Sequence, residues 1–363
     1  MIVDTKRLDI QPLDGRALPA AAAFLARRRP RPDRESSLRQ LQWLLIDNPL
    51  ASAASDHGLC IRDASGAIAG LLVSFPSAFR AGDRRLLGLG SGGYFVEPAA
   101  RTLGFHLFKR HLRCPGFDFF FSTSCNAASG ALWKTLGARA VPESDAEYVR
   151  PLDLGIVLSS FLAGRISSAV ATGAVRVLGR CATRVLRSVV RTSARVISEP
   201  CRDWEKLAEL ARRHRPGDWI TADRSAAFLK WRYGPGSPNH ASDIRVFRDT
   251  RGHEGWFSLG ETVRGDQTPI RGRVLLDATW PRERMGFDAV LTAVARFAER
   301  DADAIYFRPR PGVDYGDCRP WIMRRRREPP AVFAVAAKGR AALEVSALDM
   351  VSADGDGGLP DDE

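Results

Sequence analysis

The spacing of apolar positions changes repeatedly along the first 150 residues. At 38–45 they recur three and four apart, which predicts a helix ending at the turn Asp47-Asn48-Pro49. The runs 59–62 and 68–75, split by Asp63-Ala64-Ser65-Gly66, predict a β-hairpin, and 85–96 a further strand. Pro98 opens a loop, after which come a helical run at 104–113, a β-prone run at 117–122 and a helix at 127–136. The same vocabulary returns beyond residue 200: a helix at 204–213, strands at 243–247, 254–259 and 274–278, an amphipathic helix at 287–300 and a strand at 304–307. Strands alternating with helices in this way predict an α/β fold, with mixed sheets and flanking helices.

The two halves echo one another. Leu41-Gln42-Trp43, a proline and a strand-turn-strand run recur as Leu229-Lys230-Trp231, a proline and a second strand-turn-strand run. Pro98-Ala-Ala-Arg101-Thr-Leu-Gly104-Phe105 recurs, one residue shorter, as Pro281-Arg-Glu-Arg284-Met-Gly286-Phe287. Two correspondences in the same order, offset by 188 and 183 residues, predict a duplicated domain. The expected organisation is a first domain at 1–150, a basic helical linker at 151–199, a second, degenerate copy at 200–350, and a disordered acidic tail at 351–363.

Charge changes this picture little. The net charge of +12 suggests nucleic acid until it is resolved into 48 Arg and 6 Lys, an imbalance that a GC-rich codon supply explains without selection for phosphate. Nucleic acid is accordingly not an expected partner. The clustered charge is in the linker, where Arg176, Arg180, Arg184, Arg187, Arg191 and Arg195 fall within an arc of about 100° on a helix. That stripe is read as the wet side of an interdomain helix, with weak peripheral contact to an anionic membrane as the alternative. The longest apolar run, at 154–164, falls short of the ~20 residues that span a bilayer. The amino terminus lacks the apolar core of a signal peptide, so a cytoplasmic location is expected. Six scattered cysteines and six scattered histidines show no metal-ligand spacing, and no metal is expected. Cys125, at the end of an apolar strand, is read as buried rather than nucleophilic, and His111 and His214 as ordinary surface residues.

The chemistry-bearing segment starts at Tyr94. In Tyr94-Phe-Val-Glu-Pro98-Ala-Ala-Arg101-Thr-Leu-Gly104-Phe-His106, a strand end, a tight loop and a helix start follow in succession. Backbone N–H groups and the positive end of a helix dipole there suit a pyrophosphate, and Gly104 permits close backbone approach. Downstream comes Asn126-Ala-Ala-Ser129-Gly-Ala-Leu132-Trp133-Lys-Thr-Leu136-Gly137. Together these resemble the GNAT superfamily of acyl-coenzyme A-dependent N-acyltransferases, in a tandem arrangement. Val96, Pro98, Arg101 and Gly104 match the family's V-x-P and R/Q-x-x-G-x-G/A loop. Asn126, Leu132 and Gly137 match its N-x-x-A-x-x-L-Y-x-x-x-G-F helix.

The resemblance implies a cofactor site, for acetyl-coenzyme A or another acyl-coenzyme A, made by Phe95, Val96, Arg101, Thr102, Leu103, Gly104, Phe105, His106, Asn126, Ser129 and Trp133. It implies direct attack of an amine acceptor, a small molecule or an amino sugar, on the thioester in a ternary complex. The backbone near Phe95 and Val96 would bind the developing oxyanion, with Tyr94 and Glu97 the nearest side chains able to move a proton. Two departures stand out. His106 crowds the loop, and Trp133 stands where many members carry a tyrosine acid, a role an indole cannot fill. Tandem GNAT aminoacyl transferases that use charged transfer RNA, and a non-catalytic GNAT-like scaffold, stay open as alternatives.

Overall fold

The computed structural model describes residues 8–28, 34–54, 56–162, 173–175, 177–183, 196–265, 269–326, 330–340 and 343–355. In chain order come β1 (Asp9–Pro12), α1 (Leu18–Ala26), α2 (Arg34–Leu45), β2 (Gly58–Arg62), β3 (Ile68–Ala81), β4 (Arg84–Val96), α3 (Arg101–His111), β5 (Phe119–Ser122), α4 (Ala127–Thr135), β6 (Arg139–Ala140), β7 (Ala146–Pro151) and α5 (Leu154–Leu162). The second half supplies β8 (Ile197–Pro200), α6 (Trp204–Arg213), β9 (Ile220–Ala222), α7 (Ala226–Tyr233), β10 (Asp243–Arg248), β11 (Glu254–Arg264), β12 (Ile270–Thr279), α8 (Phe287–Ala298), β13 (Ala304–Phe307), β14 (Met323–Arg326), β15 (Phe333–Ala336) and β16 (Leu348–Asp349).

Two mixed sheets result, and they run in parallel through the chain. One has the order β1-β2-β3-β4-β5-β15-β6, the other β8-β10-β11-β12-β13-β7-β14, so each position in the first has a counterpart in the second. The halves exchange a strand: β15 from near the carboxy terminus pairs with β5 and β6, while β7 pairs with β13 and β14. The short strands β9 and β16 extend the first sheet alongside β3. Sheet membership therefore crosses the boundary at residue 150, because each sheet needs a strand from the other half to cover β5 or β13.

The repeat seen in sequence lies at the centre of the molecule. Trp43 of α2 and Trp231 of α7 stack with ring centroids 4.7 Å apart and planes 11° apart. Each indole N–H donates to the other residue's carbonyl, both at 2.9 Å. Such reciprocity is what two copies related by an approximate two-fold axis produce at that axis. With Trp43 buried and Trp231 partly buried, this pairing satisfies both polar tips at once, which removes the usual cost of an indole in a core.

Apolar side chains on both faces of each sheet make the cores. In the first half, α1 and α2 pack over Phe75, Phe79, Phe119 and Phe121, and α3 and α4 pack over Leu89, Phe117 and Phe120 on the opposite face. Gly88 and Gly90 let β4 pass close to these rings, since a Cβ on Gly90 would lie 2.4 Å from Phe75.

Three expectations need comment. The two ends of the 151–199 segment belong to structure, through β7, α5 and β8. Arg180 faces Asp153 at 3.7 Å, and Val177 and Leu178 are exposed, whereas Arg176, Arg184, Arg187, Arg191 and Arg195 lie outside the described residues. Residues 351–355 are ordered, contrary to the expected tail: Ser352–Asp354 forms a 3-10 turn, and Asp354 is buried against Arg224. Residues 356–363 lie outside the described set. No helix among the described residues is long and apolar enough to cross a membrane.

Candidate functional site

β4 is longer than its neighbour. It pairs in parallel with β5 from Gly88 to Ser91, then continues along β3 to Val96 with no strand on its other edge among the described residues. A bulge marks this departure: pairing on β3 skips from Leu71–Phe95 to Val73–Gly92, and Gly93 adopts φ of 56°, a left-handed conformation that glycine accepts without strain. Between 92 and 96 every second residue thus turns its backbone N–H and C=O away from β3, beside a widening gap between two parallel strands.

Beyond that edge the chain makes a 3-10 turn, Pro98–Ala100, and enters α3 at Arg101. No side chain caps the helix and no acid lies in its first turn, while Arg101 and Thr102 are exposed. The Arg101 N–H is taken by the Pro98 carbonyl, so an anion would meet the next N–H groups of the first turn and the positive dipole end, and the exposed Arg101 adds charge.

The expected site residues divide into three groups. Arg101 and Thr102, with the strand edge at Phe95 and Val96, surround the splay and helix start; Leu103 is half-buried among the residues beneath α3. Phe105 and His106 are exposed on the helix, edge to face with centroids 6.2 Å apart. Asn126 caps α4 by accepting from the Ser129 N–H at 3.0 Å, and the Asn126 N–H donates to Ser129 Oγ at 3.0 Å. Their spacing thus has a complete local explanation as a capping box.

Trp133 is a correction. It is wholly buried, edge-on to Phe108 and His111, and presents no surface to a cofactor. Gly104 is buried too, and a Cβ there would lie 2.6 Å from Tyr94 Oη and 3.3 Å from Val96. The absence of a side chain at Gly104 therefore serves the packing of α3 on Tyr94. Burial raises the Tyr94 pKa, so its hydroxyl stays neutral and acts as a donor. Glu97 is held in an ion pair with Arg28, a residue the sequence reading did not single out.

His111 is also corrected: it is fully buried, not a surface residue. Its Nδ1 lies 2.9 Å from Ser74 Oγ, and burial depresses its pKa to about 3, so the ring is neutral. His214 is partly buried and its pKa is lowered, first by burial and then by Arg213. Cys125 is buried, as read, and no disulfide joins the six cysteines. No group of three or more His, Cys, Asp or Glu among the described residues could hold a metal.

A second constellation, unforeseen except for its loop, lies at the matching place in the other half. β12 pairs with β13 only to Val274 and runs on along β11 to Thr279. On this stretch Asp277 is buried and accepts from Arg224 at 2.5 Å; Arg224 also meets Asp354 at 2.5 Å. Arg282 and Arg310 converge on Asp349, at 2.5 and 2.7 Å, and Arg310 donates to the Ala278 carbonyl at 2.5 Å. Burial raises the Asp277 pKa, with Arg224 opposing; burial would also raise that of Asp349, but Arg310 and Arg282 hold it below the usual range. Apart from Asp354, these groups line a cleft of about 380 Å³ between β12, α6 and β9. One signal was in the sequence: a lone acid in the apolar run Val-Leu-Leu-Asp277-Ala implies a buried, paired charge.

No protein-family model and no curated protein matches the sequence. Solved structures do match. A "Probable N-Acyltransferase" from Enterococcus faecalis aligns with TM-score 0.56 and 9% identity over 94% of this chain and 74% of its own. A GCN5-related N-acetyltransferase from Anabaena variabilis aligns with TM-score 0.54 and 11% identity over 92% and 73%. Saccharomyces cerevisiae N-myristoyltransferase, solved with myristoyl-CoA, gives TM-score 0.51 and 10% identity over 84% and 73%. The chain has the GNAT fold, present twice in tandem.

Proposed function

We propose that this protein is an acyl-coenzyme A-dependent N-acyltransferase whose cofactor binds the first half. The carrying observation is the junction of an open strand edge at 92–96 with an uncapped, acid-free start of α3. Orphan N–H groups at that helix start would hold the pyrophosphate, with Arg101 and Thr102 beside it. The strand edge would accept the pantetheine amides and direct the backbone N–H of Val96, which points away from β3, at the thioester oxygen.

The cofactor supplies a thioester carbonyl for an amine to attack, and the chain moves the protons. Tyr94, kept neutral by burial, is the donor to the departing sulfur. Glu97, the nearest carboxylate, receives the amine's proton once the acceptor displaces Arg28. The neighbours named as N-acetyl- and N-myristoyltransferases support an acyl transfer of this kind and leave acyl length to experiment. Calorimetry with acetyl-CoA and myristoyl-CoA, followed by thiol release with a panel of small-molecule and sugar amines, tests the reading. Binding of one thioester with amine-dependent thiol release is expected; no binding of either thioester overturns it.

A further inference from the structure

Charge in the second-half cleft is unevenly shared. Arg282 and Arg310 share the single carboxylate of Asp349, and Arg80 and Arg215 share Asp223, at 3.7 and 3.9 Å. Each pair of guanidiniums thus has one negative partner. Arg224 has the reverse arrangement, one guanidinium between Asp277 and Asp354. All five arginines line the cleft. Arg224 and Arg282 each leave a buried Nη1 with no hydrogen-bond partner, and the Arg224 side chain is only 10% exposed. Arg80 Nε and His214 Nε2, also on the cleft wall, are buried without a hydrogen-bond partner too, whereas buried polar groups in native folds are as a rule paired.

We propose that this cleft is a binding site for a small molecule carrying an oxyanion, a carboxylate or a phosphate, which completes the hydrogen bonding of Arg224 and Arg282. The cleft volume admits a ligand of metabolite size. Arg is suited to the task because its planar fork meets either oxyanion in two-point fashion. The site is separate from the strand edge and helix start of the first half, and it does not depend on that half's binding coenzyme A.

The test uses the full chain with inorganic phosphate in one arm and malonate in the other, against sodium chloride at equal ionic strength. At least one anion is expected to raise the thermal midpoint by several degrees and to bind by calorimetry, and the arm that does so identifies the oxyanion. Arg282→Gln should weaken that binding at least tenfold. Because Arg282 also holds Asp349, a second variant, Ala226→Glu, places a carboxylate on the cleft wall in the first turn of α7, where a helix accepts an acid. It should weaken binding likewise. Midpoints equal to the chloride control, or anion binding that survives both cleft variants, overturns the proposal.

Discussion

The two halves build the same junction, a strand that outruns its parallel neighbour and then turns into a helix, and they finish it in opposite ways. In the first half the edge at 92–96 faces a gap, and α3 begins with Arg101 and Thr102 and no acid. In the second, the corresponding edge at 275–279 is occupied: Arg310 donates to the Ala278 carbonyl, and Asp277 is tied to Arg224. Its helix, α8, carries Asp288 at its second position, the place that Thr102 holds in α3, so an acid of the chain itself already answers the dipole. Trp280, at the loop, is buried beneath Arg282 and Arg310, with centroid distances of 5.0 and 5.3 Å. A duplicated scaffold thus keeps backbone groups available in one copy and consumes them in structure in the other. Fold symmetry says nothing about which copy can bind; the side chains at the junction do.

If the second junction is closed by ion pairs, breaking one should cost far more there than in the first. Arg224→Met leaves Asp277 and Asp354 buried without their cation, and should destabilise the fold by about 3–5 kcal/mol. Arg28→Met removes the partner of Glu97 from a pair whose arginine is 38% exposed, and should cost no more than about 1 kcal/mol. Urea unfolding of the two variants makes the comparison. Equal losses would mean that the second junction is not a closed cluster.

Acid should also act on the first half through His111. His111 is the last residue of α3 and its ring is buried, whereas α8 carries no histidine. With its folded pKa near 3, against 6.5 in the unfolded chain, the unfolded state takes up the proton first. Stability is therefore full above pH 6.5 and falls as the pH drops toward 3, by about 1.4 kcal/mol per unit. From pH 6.5 to 5 that is about 2 kcal/mol. His111→Gln, which keeps a polar partner for Ser74, should flatten the slope over this interval. A slope that persists in the variant would place the acid sensitivity elsewhere.

Much of the fold was legible because its signals are local. Residues 204–213, 127–136 and 304–307 carry the periods of the elements they form, and the LQW and LKW tripeptides flagged two residues that turn out to stack on each other. The strand exchange was not legible, since the pairing of β15 with β5 is decided by which edge is left open, more than 200 residues away in the chain. In the site, the loop and the helix start were read from position, but the roles of Gly104, Asn126 and Trp133 have explanations in packing and capping that a motif does not distinguish from cofactor contact. Arg224, the partner of Asp277, comes from the connection between α6 and α7, and the second carboxylate on Arg224, Asp354, from the carboxy-terminal segment, so no window of sequence contains them.

The smallest predicted effect goes most directly to the difference between the junctions. Thr102→Asp gives α3 the acid that α8 has at Asp288. On the helix alone a carboxylate in the first turn is favourable, by about 0.3–1 kcal/mol, so the variant should be as stable as the parent or slightly more so. For a phosphate approaching the same N–H groups, the carboxylate is a competitor and a like charge. Acyl-coenzyme A affinity should then fall about tenfold, equivalent to roughly 1.4 kcal/mol, while the unfolding midpoint holds or rises. Asn at the same position has the size of Asp without its charge, so Thr102→Asn should retain most of the affinity and thereby separate repulsion from bulk. Should Thr102→Asp bind as tightly as the parent, the phosphate does not approach the start of α3, and the open edge of the first half would have to serve some other ligand.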